Sequence, residues 1–230
     1  MPLPGTGPKL TTTFFDVQKN GCKGSRATWR ASGNLRVGTA AKGDRVRRVG
    51  VLASGSGTIL QALVDAHLPI AALIVDRPCR AMEVGERAGL AVELVERESF
   101  GPDFDRLAYT ERVVDALKRH EIDVVAMAGF MTVLEQPIHD AYGGLITNTH
   151  PSLLPEFKGA HAVDEALAAG VEVTGCTVHL ATLQVDAGPT LAQETVPVRP
   201  DDTAESLHER IKEVERRLYP RVLRKLLEDA

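Results

Sequence analysis

The chain predicts an α/β fold, a three-layer sandwich with helices on both faces of a largely parallel, mixed central sheet. Three observations lead there. From Val49 onward, short apolar runs alternate with segments of helical period. The 230 residues are 43% hydrophobic and 25% charged, the balance of an ordinary soluble globular protein with material for a sizeable core. The longest apolar runs, such as Val124-Val125-Ala126-Met127-Ala128, are far too short to cross a bilayer, so no membrane partner is expected.

Taken in order, Val49–Ala53 reads as a strand, Thr58–Ala66 as a helix and Ile70–Val75 as a strand. A helix over Ala81–Ala88 leads to a strand at Val92–Val95 and then to a long helix around Phe104–His120. Val124–Ala128 and Leu145–Asn148 read as strands and 161–169 as helical. Cys176–Leu180 and Thr190–Val196 are the last strands, before a helix from about Thr203. Asp202 with Glu205 three later is a helix-start signal, and Leu207, Ile211, Val214 and Leu218 form that helix's apolar stripe. The alternation gives a Rossmann-like arrangement, and ligands on such sheets sit outside the carboxyl ends of the strands.

Residues 1–45 are rich in Gly, Thr, Ser, Lys and Arg and show neither period. They are expected to be a disordered basic extension, and residues 46–230 the folded domain. A targeting segment, a nucleic-acid arm and an upstream extension all suit that composition. Residues 1–48 hold ten Lys/Arg against Asp16 and Asp44, a charge of +8. The remainder holds seventeen basic and twenty-nine acidic residues, a charge of −12. An acidic body argues against a nucleic-acid surface, so an anionic ligand would need a local, shaped pocket. Cys22, Cys79 and Cys176 share no close spacing, which fits free thiols in a reducing cytoplasm and no cysteine metal site.

Four groups of residues carry possible chemistry. Gly55-Ser56-Gly57-Thr58-Ile59 comes after the first strand and opens the first helix, where backbone N–H groups and the dipole suit a phosphate. Leu60 breaks the dinucleotide fingerprint and the Gly-Lys pair of a P-loop is absent, leaving a phosphate monoester or a plain tight turn. Asn148 and His150 are two apart at a strand end, so in extended backbone they share a face. Pro151 and Pro155 stiffen the loop beyond that strand. An amide can donate to a developing oxyanion and an imidazole can move a proton, a pairing suited to acyl or formyl transfer. Asp186 reads either as a turn residue before Gly188-Pro189 or as the partner of His150. Lys212 and Glu215 read as a solvated i, i+3 pair or as a phosphate partner and a hydroxyl acceptor. His161 and His179 lack ligand spacing; His161 reads as a helix start and His179 as a strand residue, so no metal is expected.

Five ordered segments resemble the phosphoribosylglycinamide formyltransferases of the formyltransferase superfamily. They are Val51–Thr58, Ala128–Met131, Asn148–Pro155, Gly175–His179 and Asp186–Pro189, within a match from about Val49 to Pro220. The resemblance implies formyl transfer from 10-formyltetrahydrofolate to the amine of glycinamide ribonucleotide in purine synthesis, with Asn148, His150 and Asp186 as the catalytic trio. It implies that Gly55, Ser56, Gly57, Thr58 and Ile59 cradle the phosphate, with Lys212 beside it and Glu215 on the ribose hydroxyls. It further implies that Met131, Thr132, Val133 and Leu134, with Leu183, Gln184 and Val185, clasp the pterin. Arg106 matches a residue that meets the glutamate tail. Ile59 stands where many members have Asn, and Thr132 where Arg is common, removing a side-chain phosphate contact and a cation from the pterin wall.

The alternative within the superfamily is a formyltetrahydrofolate deformylase, which uses the same trio with water as acceptor. Methionyl-tRNA formyltransferases need a further RNA-binding domain after Pro220. The expected assembly is a monomer or weak homodimer, without nucleic acid or membrane.

Overall fold

The computed structural model describes residues 12–14, 46–99 and 101–229. It contains, in chain order, β1 (Thr12–Phe14), β2 (Val49–Ala53), α1 (Thr58–Asp65), β3 (Ile70–Val75), α2 (Arg80–Arg87), β4 (Ala91–Leu94) and α3 (Arg106–Arg119). Next come β5 (Val124–Met127), α4 (Gln136–Tyr142), β6 (Ile146–His150), α5 (Ala162–Ala168), β7 (Val173–Leu180), β8 (Thr190–Pro197) and α6 (Ala204–Asp229). The eight strands form one sheet in the order β1-β8-β7-β6-β5-β2-β3-β4. The pairs from β6 through β5, β2 and β3 to β4 are parallel, and β6–β7, β7–β8 and β8–β1 are antiparallel.

The period-2 alternation of the strands divides the core. Val51, Leu73, Val75 and Ala126 face one layer, where Leu60 and Leu63 of α1 meet Leu207, Ile211, Val214 and Leu218 of α6. Leu52, Ile74, Val125 and Ile146 face the other, filled by Tyr109, Val113 and Leu117 of α3 and Ile138 of α4. Cutting any of these large side chains to Ala would cost about 2–5 kcal/mol.

The structure departs from the sequence reading at several elements. Thr12–Phe14, inside the segment expected to be disordered, pairs antiparallel with β8 through Thr12↔Glu194, Thr13↔Gln193 and Phe14↔Ala192. The rest of that expectation, over residues 1–11 and 15–45, lies outside the described residues. Helix α4 escaped the reading because it is one short segment with Pro137 in its first turn, a position where proline costs nothing. Strand β6 runs two residues further, to His150. The cap of α6 is Thr203, whose Oγ1 accepts from Ser206 N at 3.2 Å. Asp202 instead grips the Arg210 guanidinium, which holds its carboxyl well below the ordinary range.

Candidate active site

The carboxyl ends of β2, β5 and β6 meet at one rim of the sheet, as the topology rule requires. In β6, Thr147 and Thr149 turn toward α6, bonding Tyr219 and Glu215. Asn148 and His150 therefore turn to the opposite face, with Ile146. Across the antiparallel pair, His179 stands opposite Asn148 and Thr177 opposite His150. Thr177 ties down the proline loop: its Oγ1 accepts from Leu154 N at 3.0 Å and donates to Ser152 O at 2.6 Å.

Asp186 closes the cluster from the β7–β8 connection. Its φ of 51° is left-handed, which an aspartate tolerates better than most residues. Gly188 makes the turn possible, since a Cβ there would lie 1.8 Å from the Leu180 carbonyl oxygen. Asp186 Oδ2 is 3.3 Å from His150 Nδ1 and accepts from Gly159 N at 2.9 Å. Its Oδ1 is 3.6 Å from His179 Nε2. Burial works to raise the Asp186 pKa, but the His179 side chain, the Gly159 N–H and the His150 imidazole outweigh it, and the carboxyl sits below its ordinary value. His150 Nε2 lies 2.7 Å from the Phe157 carbonyl oxygen. Both ring nitrogens thus face acceptors, an environment that a doubly protonated imidazole satisfies fully.

A cleft opens in front of this cluster. Its lining includes Asn148, His179, Asp186, Met131, Val133 and Val185. Met131, Val133, Leu183 and Val185 are exposed and give the rim an apolar surface of the kind that marks a binding site. Thr132 and Leu134 also line the cleft but are buried. The Thr132 hydroxyl donates to Asp76 Oδ2 at 2.8 Å, so this side chain belongs to an interior network as well as to the wall. Burial tends to raise the Asp76 pKa, and bonds from Arg77, Thr132 and Ser54 outweigh it, leaving a lowered carboxylate.

Leu183 and Gln184 sit on the loop beside the cleft rather than in its lining, and Arg106 is likewise outside it. Arg106 Nε is 3.8 Å from Glu135 Oε1, on the first turn of α3.

On the other side of the rim, Gly57 caps α1 with φ 74° and no side-chain cap. A Cβ at Gly57 would lie 2.8 Å from Ala81 Cα, so the turn demands glycine twice over. Gly55, Ser56 and Thr58 are exposed, whereas Ile59 is 5% exposed and packed into the core. The Ile59 side chain therefore faces away from any ligand, and only its backbone N–H can reach a phosphate.

Lys212 and Glu215 lie three residues apart on α6, and Glu215 reaches the sheet at Thr149 of β6. Lys212 Nζ is 3.8 Å from Glu209 Oε2, and Glu215 accepts a hydrogen bond from Thr149 Oγ1. Burial pushes the Glu215 carboxyl upward despite that bond and the Lys212 charge.

Two participants were not singled out for function from sequence. His179, read as a strand residue, stands in the cluster, and only its place opposite Asn148 could have revealed it. Asp76 directly follows the apolar strand β3, a signal for a buried network at the rim. His161 starts α5 as expected, 3.9 Å from Asp164. Among the described residues no group of three or more His, Cys, Asp or Glu could hold a metal ion.

The chain is similar to known proteins over most of its described residues. The family described as Formyl transferase matches residues 47–223. A phosphoribosylglycinamide formyltransferase of Mycobacterium tuberculosis is 46% identical over 176 residues, 74% of this chain and 80% of the relative. One from Bacillus subtilis is 34% identical over 189 residues, covering 79% of this chain and 95% of that protein. The crystal structure of glycinamide ribonucleotide transformylase 1 from Symbiobacterium toebii superposes with TM-score 0.76 at 39% identity, covering 80% of this chain and 89% of that one. The chain belongs to the formyl transferase family.

Proposed function

We propose that this chain transfers the formyl group of 10-formyltetrahydrofolate to the glycine amine of 5'-phosphoribosylglycinamide. The observation that carries the reading is the Asn148, His150 and Asp186 cluster at the mouth of an apolar-rimmed cleft, with an uncapped glycine turn across the rim. The folate donor suits the side lined by Met131–Leu134 and Val185. The ribonucleotide suits the side of Gly55–Ile59, Lys212 and Glu215, where backbone N–H groups and one ammonium meet the phosphate.

The amine lone pair attacks the formyl carbon and the carbonyl electrons move onto oxygen. The Asn148 amide N–H and the His150 imidazolium stabilise that oxyanion, and Asp186 holds the imidazole charge. The attacking nitrogen loses its proton to water relayed past Asp186, and the bond from carbon to the folate nitrogen breaks as that nitrogen takes a proton. Formylated ribonucleotide and tetrahydrofolate leave. In this structure the Phe157 carbonyl occupies His150 Nε2, so serving the oxyanion requires the substrate oxygen to take that carbonyl's place as acceptor. Holding both substrates on one rim makes the attack effectively unimolecular.

We place the reaction in the cytoplasm, in keeping with the free thiols of Cys79 and Cys176, and expect a monomer or weak homodimer. The test supplies both substrates and monitors tetrahydrofolate release. Release that needs the ribonucleotide supports transfer; equal release without it means hydrolysis.

A further inference from the structure

We propose that His179 is a positioning residue that fixes the Asn148 amide with its nitrogen, rather than its oxygen, available to the oxyanion. The inference rests on the role given to Asn148 above. His179 is 1% exposed and stands directly across the β6–β7 ladder from Asn148. Its Nδ1 lies 3.0 Å from the Leu180 carbonyl oxygen. A carbonyl only accepts, so Nδ1 carries the hydrogen, and a neutral ring then presents a lone pair at Nε2. Asn148 Nδ2 is 3.3 Å from that Nε2 and donates to it. Asp186 Oδ1, 3.6 Å from the same Nε2, is beyond hydrogen-bond length for the neutral ring. A charged ring would give that oxygen its Nε2 hydrogen and release Asn148, the alternative that the ring spectrum decides.

The consequence concerns the second amide hydrogen. With one Nδ2 hydrogen given to His179, the other is left for the cleft that both residues line. The reversed amide would set Oδ1 against the Nε2 lone pair and present oxygen to an oxyanion, a repulsive arrangement at both ends. The Leu180 carbonyl thus selects the tautomer, the tautomer selects the amide orientation, and the orientation supplies the donor.

Two measurements test this. The first is ¹⁵N NMR of the histidine rings in the intact protein at neutral pH. His179 is expected with its hydrogen on Nδ1 and none on Nε2; a hydrogen on Nε2 overturns the proposal. The second is a double-mutant cycle of His179→Leu with Asn148→Ala, with His179→Gln alongside. Asn148→Ala is expected to lower kcat about 10²–10³-fold. His179→Leu alone should lower kcat at least about tenfold with both KM values near wild type, and should cost less than about threefold more in the Asn148→Ala background. His179→Gln, whose amide oxygen can accept from Asn148, should recover most of the lost kcat. Additive losses, or Gln no better than Leu, overturn it. If His179→Leu does not fold, the ring spectrum decides alone. Full activity in Asn148→Ala would sink the catalytic reading itself, a result separable from either.

Discussion

Replacing Asp186 by asparagine keeps the shape and removes one charge. The lost interaction can be sized from the geometry. His150 Nδ1 is 3.3 Å from Asp186 Oδ2, and both side chains are 6% exposed, so solvent screens the pair little. Two unit charges about 4 Å apart interact by about 4 kcal/mol at an effective dielectric near 20. Part of that attraction is already present before substrate reacts, and only the part that grows with the oxyanion affects rate. About 3 kcal/mol growing in this way would correspond to about 10²-fold in kcat, the scale seen when a preorganised donor is lost.

Stability should change by about 1 kcal/mol, because the asparagine oxygen still accepts from Gly159 N. The pH sign is fixed by the lowered carboxyl. Its contribution to folding is complete above the ordinary aspartate value of 3.8 and is lost as pH falls through the lowered native value. The variant lacks that acid dependence. Steady-state kinetics beside thermal melts from pH 3 to 7 separate the two effects. A variant that folds normally and keeps more than a third of wild-type kcat would refute the reasoning.

Strand β1 and helix α6 give three further variants with expected outcomes. Deleting residues 1–15 removes β1, whose Thr12 Oγ1 donates to the buried Glu194 at 2.6 Å and whose Phe14 ring lies 5.1 Å from the Arg221 guanidinium. Loss of about 1 kcal/mol should lower Tm by about 2–4 °C in a chain of this size while kcat stays within about twofold, read by calorimetry and assay. Glu215→Gln should gain stability relative to wild type as pH rises above the ordinary glutamate value of 4.5. The raised carboxyl favours folding when protonated and loses that advantage on ionising. The same variant should raise the ribonucleotide KM about tenfold or more, since a charged acceptor is lost. Lys212→Ala should raise that KM about 10–100-fold with the folate KM unchanged, a split that steady-state kinetics resolve.

The sheet was legible because apolar runs such as Ile70–Val75 and Val124–Met127 carry a local signal in their composition. The pairing of Asn148 with His150 was legible for the same local reason, the two-residue period of a strand. What failed was non-local or too short. His179 gains its place only through the β6–β7 register, which no spacing along the chain encodes. Strand β1 is three residues in a basic, glycine-rich stretch, and its strand character comes from the β8 edge it joins. Ile59 shows the reverse limit. The loss of its side-chain phosphate contact was legible, leaving the backbone N–H. Where the side chain goes instead was not, since helix period carries it into the core, where packing rather than motif decides its direction.

The central claim is that the formyl carbon passes to the ribonucleotide amine. It is tested most directly with formyl-labelled 10-formyltetrahydrofolate, by tracing the label in the products with and without glycinamide ribonucleotide. Label appearing on the ribonucleotide, one for each tetrahydrofolate released and none released in its absence, is the predicted result. Label appearing as free formate at the same rate whether or not the ribonucleotide is present would contradict it.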